Sequence, residues 1–293
     1  MEKKMSKGAR TQNTFIPKTC FPRTSQLLGS MIGESTINVA RKYLDELIPP
    51  ITPGAIIHDN GCGTGAVTRA ILEIYPGLLA SPTKTVIHAT DINPAFIDDF
   101  RAFVVLRGWE HIVEPDAMPA ENLSLQDSTL THSFTNFLIF GARDPPIAVA
   151  EAYRTLAIGG VAVMTTWAVL PHAKALDRTR ETLYSEHGVS HIHPKWTNAT
   201  YLEELLKTAG FSNVHSSQVN STLEYDTMEK WIEIAWSWMG MPRGGWTERE
   251  EREWGHDTDL FKQECLREGF KIIQDGRMRV KMVANVVVAW KGA

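Results

Sequence analysis

Apolar positions along the chain fall into two alternating rhythms. Residues 36–48, "TINVARKYLDELI", space their apolar side chains as one face of a helix and stop at Pro49 and Pro50. Short apolar runs then read as strands at 55–59, 85–90, near 111–114, 130–135 and 160–167. Helical spacing fills the intervals at 64–74, 94–106 and 144–157. Strands and helices taking turns in this way predict a parallel, doubly wound α/β sheet with helices on both faces. The first 20 or so residues are polar and are expected to be frayed.

Beyond Trp167 the rhythm loosens through a histidine-rich stretch. It resumes with a helix over 198–211, where Asn198 is placed to cap and Gly210 to terminate, and with a strand at 213–219. A last alternating strand covers 280–290, and the 224–278 stretch before it is too long for a simple connection, so it reads as an insertion between two late strands. Trp231, Ile234, Ala235 and Trp238 share one helical face there. Such a stripe fits a packed core; an aromatic-rich insertion near Trp231 and Trp246 also suits the wall of a pocket for a bulky apolar molecule.

Composition narrows the partners more than the fold. The 293 residues are 43% hydrophobic and 22% charged, enough for a sizeable core. A net charge of -4 gives no basic face for nucleic acid, so a small-molecule partner is expected. The three cysteines, Cys20, Cys62 and Cys265, have no paired-ligand spacing and suggest neither a disulfide framework nor a structural zinc site. With no apolar run of membrane-spanning length and no leader-like segment, a cytoplasmic protein that binds no membrane, monomer or homodimer, is the expectation.

The candidate chemistry begins at "IIHDNGCGTGAVTRA", residues 56–70. Asp59, Gly61, Gly63 and Gly65 alternate between a strand and a helix, where outward-facing amides can hold ligand oxygens or a carboxylate. The next strand, "TVIHATDINP", ends on Asp91, the position at which an acid accepts hydrogen bonds from ribose hydroxyls in sheets of this type. Asp91 in Asp-x-Asn-Pro is equally good helix-capping chemistry, and both roles can coexist.

The ordered series "HDNGCGTG", "ATDINP", "PDAMPAENL", "THSFTNFLIF" and "AYRTLAIGGVAVMTTW" resembles the class I S-adenosylmethionine-dependent methyltransferases. It is most similar to the ubiquinone-biosynthesis-like group that includes fungal secondary-metabolite enzymes, thiol methylators among them. The resemblance covers residues 36–219 and the last strand. It implies a Rossmann-like, mostly parallel seven-stranded sheet with N-terminal helices and a helical lid. The implied division is 1–48 tail and cap helix, 49–223 cofactor-binding core, 224–279 lid insertion and 280–293 final strand.

Carried over position by position, it places the methionine part of S-adenosylmethionine on Asp59, Gly61, Gly63 and Gly65. The ribose goes to Asp91, and the adenine to Ile92 and to the loop of Asp116, Ala117 and Met118. Asn136 is a further cofactor contact, and Phe137, Trp167, Trp231 and Trp246 are expected at the substrate. The fourth strand departs from the family pattern, with Leu130 and Thr131 where an aromatic and an aspartate are usual.

The activity implied is methyl transfer to sulfur, nitrogen or oxygen of a hydrophobic metabolite, a fungal thiol being one specific case. A nicotinamide-dependent oxidoreductase and a cofactor-binding protein that does not methylate, such as a cyclase, are the competing readings. No catalytic base stands out. His172, His187, His191 and His193 lie where a lid would overhang the site; the spacing of His187, His191 and His193 lacks a Cys or carboxylate to complete a metal set, and surface positions account for these histidines better than catalysis does. His132 reads as a hydrogen-bonded core or rim residue.

Overall fold

The computed structural model describes residues 15–186 and 190–292. Two helices, α1 (Ser25–Ile32) and α2 (Ser35–Glu46), precede the alternating core. The core runs β1 (Ile56–Asn60), α3 (Ala66–Ile74), β2 (Val86–Asp91), α4 (Pro94–Leu106), β3 (Val113–Ala117), β4 (Leu130–Thr135), α5 (Pro145–Thr155), β5 (Leu156–Val169) and α6 (Pro171–Tyr184). Then come α7 (Ala199–Ala209), β6 (Ser212–Tyr225), α8 (Met228–Met239), α9 (Glu248–Arg252), α10 (Trp254–Arg267), β7 (Lys271–Ile272) and β8 (Met278–Trp290).

The strands form one sheet in the order β3-β2-β1-β4-β5-β8-β6. β1 to β5 pair in parallel, while β8 runs antiparallel between β5 and β6. The expected seven strands make up this path, and two-residue β7 adds an eighth on β8. The order turns back at β1, where β4 lies on the side opposite β2, and an open α/β sheet binds ligands outside the strand tips at such a point.

Some boundaries differ from the periodic reading for local reasons. The third strand starts at Val113, because Ile112 and Val113 both donate backbone hydrogen bonds to Trp109 in a turn. Asp116 and Ala117 consequently end β3, in register with Thr90 and Asp91, and Pro115 is tolerated because β3 is an edge strand. α5 stops at Thr155 because Leu156 already pairs with Leu130 in the sheet. The N-terminal region also holds a helix that the hydrophobic pattern did not flag. In α1 the Thr24 side chain caps the Leu27 amide at 3.1 Å, and Leu27 and Met31 are buried.

The insertion belongs to the same core as the sheet. α8 packs on α1, and α10 packs on α6 and α8. Trp231 and Trp236 are fully buried beside Phe261, and the Trp231 indole donates to the Met31 carbonyl at 2.9 Å. Trp246 is buried against Trp254, with ring centroids 5.7 Å apart. The expectation that Trp231 and Trp246 face substrate is corrected here: both pack among insertion helices and line no cavity beside the glycine turn. Large rings on the inner face of α8 gain more by joining α1 and α10 than by standing against solvent.

Candidate active site

β1 is buried almost throughout and delivers Asp59 and Asn60 to the sheet's carboxyl edge. The turn into α3 then adopts positive φ at Gly61 (70°), Gly63 (51°) and Gly65 (81°). Neighbours demand two of these glycines and leave the third free. A Cβ at Gly61 would lie 2.7 Å from Leu138, and one at Gly65 would overlap the Phe100 ring. Nothing stands within 4 Å of a Cβ at Gly63, so the middle of the turn is an open backbone surface. That opening is the cradle a ligand approaching the backbone requires.

Two acids flank the turn. Asp59 is 1% exposed, and its Oδ2 accepts from the Thr68 amide at 3.0 Å and the Thr68 hydroxyl at 2.7 Å. Burial pushes its pKa up to about 6, against the lowering effect of those two bonds, and the nearby Asp91 charge adds to the rise. Asp91 binds the turn to the second strand: Oδ2 accepts from the Gly63 amide at 3.1 Å and Oδ1 from the Asn93 amide at 2.9 Å. The helix-capping alternative falls to Asn93, whose side chain caps α4 at the Ala95 amide. Each Asp91 oxygen keeps a lone pair for a further donor.

Two cavities open on either side of Gly61, which lines both. The larger, about 600 Å³, is bordered by Asp91, Ile92, Met118, Asn122, Leu138 and Ile147. Ile92 is 66% exposed, a large apolar side chain left bare beside a carboxylate, which suits the face of a purine and the ribose it carries. The smaller, about 250 Å³, is bordered by Asp59, Gly63, Asn136, Phe137, Trp167 and His172 and is closed by apolar side chains of α1 and by Met239 of α8. An acid at one end and an acid with an apolar platform at the other fit an aminoacyl nucleoside whose middle crosses Gly61.

Asn136, Phe137 and Trp167 form a braced wall. The Asn136 amide donates to the Thr36 carbonyl at 3.3 Å, and its Oδ1 accepts from the Thr165 hydroxyl at 3.0 Å. That hydroxyl in turn accepts the Phe137 amide at 2.8 Å. Phe137 is held at φ 58°, a left-handed conformation that a bulky residue keeps only when its surroundings impose it. The imposed conformation stacks its ring on Trp167, with centroids 3.9 Å apart and planes inclined by 13°.

Of the other expected positions, Met118 is buried and lines the larger cavity. Asp116 and Ala117 are exposed, line neither cavity, and Asp116 Oδ1 accepts from the Ala117 amide at 2.8 Å. His187 lies outside the described residues. His193 caps the turn after it by accepting from the Lys195 amide. His172 is not a surface histidine: burial pushes its pKa down to about 3, and its ring packs edge-on against Trp231. His132 bonds Thr131 at 2.8 Å and stacks near Phe134, a rim role.

Sequence reasoning missed Thr165 and the α1 side chains Leu28, Met31 and Ile32 that close the smaller cavity, and it named His172 only within a histidine stretch best read as surface. For α1 the signal was present in "TSQLLGSMI", a capping threonine followed by apolar residues on one face.

Residues 58–164, from β1 to β5 and including the glycine turn, match the family described as a methyltransferase domain. The match covers the parallel half of the sheet, 107 of the 293 residues. Among curated relatives, the methyltransferase ucsB of an Acremonium species is 28% identical over 184 residues, 60% of this chain and 62% of that protein. The match thus spans less than two thirds of that relative. The methyltransferase ktnA of Aspergillus niger is 20% identical over 253 residues, 78% of this chain and 82% of that protein. Among solved structures, phosphoethanolamine N-methyltransferase 2 of Haemonchus contortus, in complex with phosphomonomethylethanolamine and S-adenosylhomocysteine, superposes with a TM-score of 0.56. It shares 16% identity over 92% of this chain and 57% of that one, a likeness of fold.

Proposed function

We propose that the protein transfers the methyl group of S-adenosylmethionine to a sulfur, nitrogen or oxygen atom of a hydrophobic small molecule. The observation that carries this reading is the pair of cavities meeting at Gly61, one with an acid and an apolar platform, the other apolar and walled by stacked aromatic rings.

When bound, the cofactor supplies a methyl group already made electrophilic by a sulfonium. The chain's own residues then have three tasks. Asp59 faces the ammonium of the methionine part, and Asp91 accepts from the ribose hydroxyls. Gly63 allows close approach, while Ile92 and Met118 offer apolar surface to the adenine. Phe137 and Trp167 exclude water and present aromatic faces, which favour a neighbouring cation. Aligning an acceptor behind the methyl lowers the barrier by several kcal/mol, up to about 7–11 kcal/mol in favourable cases.

Calorimetric titration with S-adenosylhomocysteine and with NADH tests the cofactor assignment. The expected outcome is saturable binding of the first and none of the second; binding of NADH alone would replace this reading with an oxidoreductase. Incubation with methyl-labelled cofactor and a panel of hydrophobic thiols, phenols and amines tests transfer. Cofactor binding without a methylated product across the panel would favour a non-methylating descendant.

A further inference from the structure

The smaller cavity holds one polar side chain whose environment the cofactor reading does not explain. His172 is the second residue of α6, following Pro171, and lines the cavity among Phe137, Phe140, Trp167 and Leu170. Its Nδ1 is enclosed and has no hydrogen-bond partner. A buried polar atom without a partner costs on the order of 1–3 kcal/mol, so its persistence beside the aromatic residues of this wall points to a partner that arrives with a ligand. The ring is oriented by Trp231, with centroids 5.7 Å apart and planes at 65°. Trp231 is itself fixed through its bond to the Met31 carbonyl.

The surroundings keep this imidazole neutral. It stands in the first turn of α6, where no side chain caps the helix and the backbone dipole disfavours a cation. His191, which lines the same cavity, is the titratable neighbour whose charge acts on it. Asp59 is on the glycine-turn side of the cavity. From α10, Glu264 and Glu268 approach α6 but are engaged by Arg178 at 3.7 and 2.7 Å, and Trp231 of α8 brings no charge. A neutral imidazole in an apolar pocket is a hydrogen-bond acceptor; burial weakens it as a base, so it takes the hydroxyl proton only as the oxygen–methyl bond forms and acidifies that hydroxyl.

We propose that His172 is the catalytic proton acceptor, and that the acceptor substrate is a planar aromatic molecule methylated on a phenolic hydroxyl. This rests on the methyltransferase reading and narrows it. A thiol of pKa about 8.5 is already partly ionised, a carboxylate has no proton to lose, and an aliphatic alcohol lies beyond the reach of an imidazole. A phenol of pKa about 10 is the acceptor for which a positioned imidazole changes the rate. The stacked Phe137 and Trp167 rings, with Phe140 beside them, match a flat aromatic guest. As the hydroxyl oxygen forms its bond to the methyl carbon, the electron pair of the sulfur–carbon bond stays with sulfur and the hydroxyl proton passes to the imidazole. His172 then releases that proton to solvent. One phenol and one sulfonium become one methyl ether, one thioether and one proton.

The probe is 2-naphthol, compared with 2-methylnaphthalene, on protein saturated with S-adenosylhomocysteine and followed by tryptophan fluorescence. The wild type is expected to bind 2-naphthol about tenfold more tightly than the hydrocarbon. His172→Phe, which keeps a ring against Trp231, should erase that preference while holding S-adenosylhomocysteine and 2-methylnaphthalene as before. With S-adenosylmethionine present, His172→Asn should form 2-methoxynaphthalene about 100-fold more slowly at pH 7. Its rate should climb about tenfold per pH unit as the naphthol itself ionises, whereas the wild-type rate stays flat. A packing role would not produce that change of profile.

The proposal is overturned if the wild type shows no preference for 2-naphthol, if either variant matches the wild type, or if naphthalene-2-thiol is methylated while 2-naphthol is not. Failure of the wild type to bind S-adenosylhomocysteine brings down the underlying methyltransferase reading as well. Retained binding with 2-naphthol ignored brings down this inference alone.

Discussion

The two cavities that meet at Gly61 are built by opposite strategies. The larger takes its walls from the tips of β1 and β2 and the segments after β3 and β4, short stretches whose order along the chain is their order in the motif series. The smaller shares the glycine turn, residues 59–67, and adds residues 28–32, 136–140, 167–172, 191–192 and 239, brought together because α1 packs on α8 and α10 joins α6 to α8. On the proposed reading a nucleoside would be held by backbone amides and two carboxylates, which local sequence specifies. An acceptor is held by shape, which only the folded chain specifies.

The sharpest way to break this division is at the glycine turn itself. Gly65→Val puts a branched side chain into the Phe100 ring at a φ of 81°. Overpacking together with a left-handed backbone should cost about 2–5 kcal/mol, read as a large drop in melting temperature. Gly63→Ala meets nothing within 4 Å and carries only the backbone penalty, about 1–2 kcal/mol. Its main effect should fall on S-adenosylhomocysteine affinity, because the methyl group fills the open cradle. If both variants lost stability equally with affinity unchanged, the middle glycine would be structural and the cradle assignment wrong.

Next in size is Asp91→Ala. It removes the acceptor shared by the Gly63 and Asn93 amides as well as the ribose contact, so affinity for S-adenosylhomocysteine should fall at least about 100-fold. The melting temperature should drop by only a few degrees, since both amides lie near solvent. Unchanged affinity by calorimetry would remove Asp91 from the cofactor site.

Asp59 separates function from stability in the opposite sense. Its folded-state pKa of about 6 lies above the ordinary 3.8, so the folded protein binds this proton more tightly than the unfolded chain does. The resulting stabilisation is complete below about pH 4 and is lost as pH rises through 6; at neutral pH the ionised, buried carboxylate therefore costs about 3 kcal/mol. Asp59→Asn keeps an oxygen for the Thr68 donors and carries no charge. It should melt higher than the wild type at pH 7.5, with the gap closing toward pH 4. The same variant should bind the cationic methionine end more weakly, and wild-type affinity for S-adenosylhomocysteine should decline below pH 6. A variant that melts lower at pH 7.5 would mean that Asp59 is stabilising in its charged form.

What the sequence made legible follows from this contrast. The sheet, the glycine turn and Asp91 were readable because each rests on interactions within about 30 residues and on a period of 2 or 3.6. Trp231 was ambiguous because helical spacing identifies a shared face without naming what packs on it; here the partners are Met31, Phe261 and Phe270. Thr165 looked like an ordinary strand residue, and only the crossing of Asn136 and Phe137 over its hydroxyl makes it the brace of the aromatic wall. His172 read as a surface histidine because nothing local shows that α8 and the 191–192 segment enclose it.

Asp116 is where the motif series and the geometry part company, and it carries the smallest predicted effect. The resemblance places it in the loop that meets the adenine, yet the side chain is exposed and one oxygen already accepts from the Ala117 amide. A bond made at such a position competes with water on equal terms, so its net contribution is at the low end, about 0.5–1 kcal/mol. Asp116→Ala should weaken S-adenosylhomocysteine binding only a few-fold, whereas Met118→Ala, which strips buried apolar surface from the larger cavity, should cost more. Reversal of that order in a calorimetric titration would mean that ligand binding draws the end of β3 inward and that the adenine is held by hydrogen bonding rather than by its apolar faces.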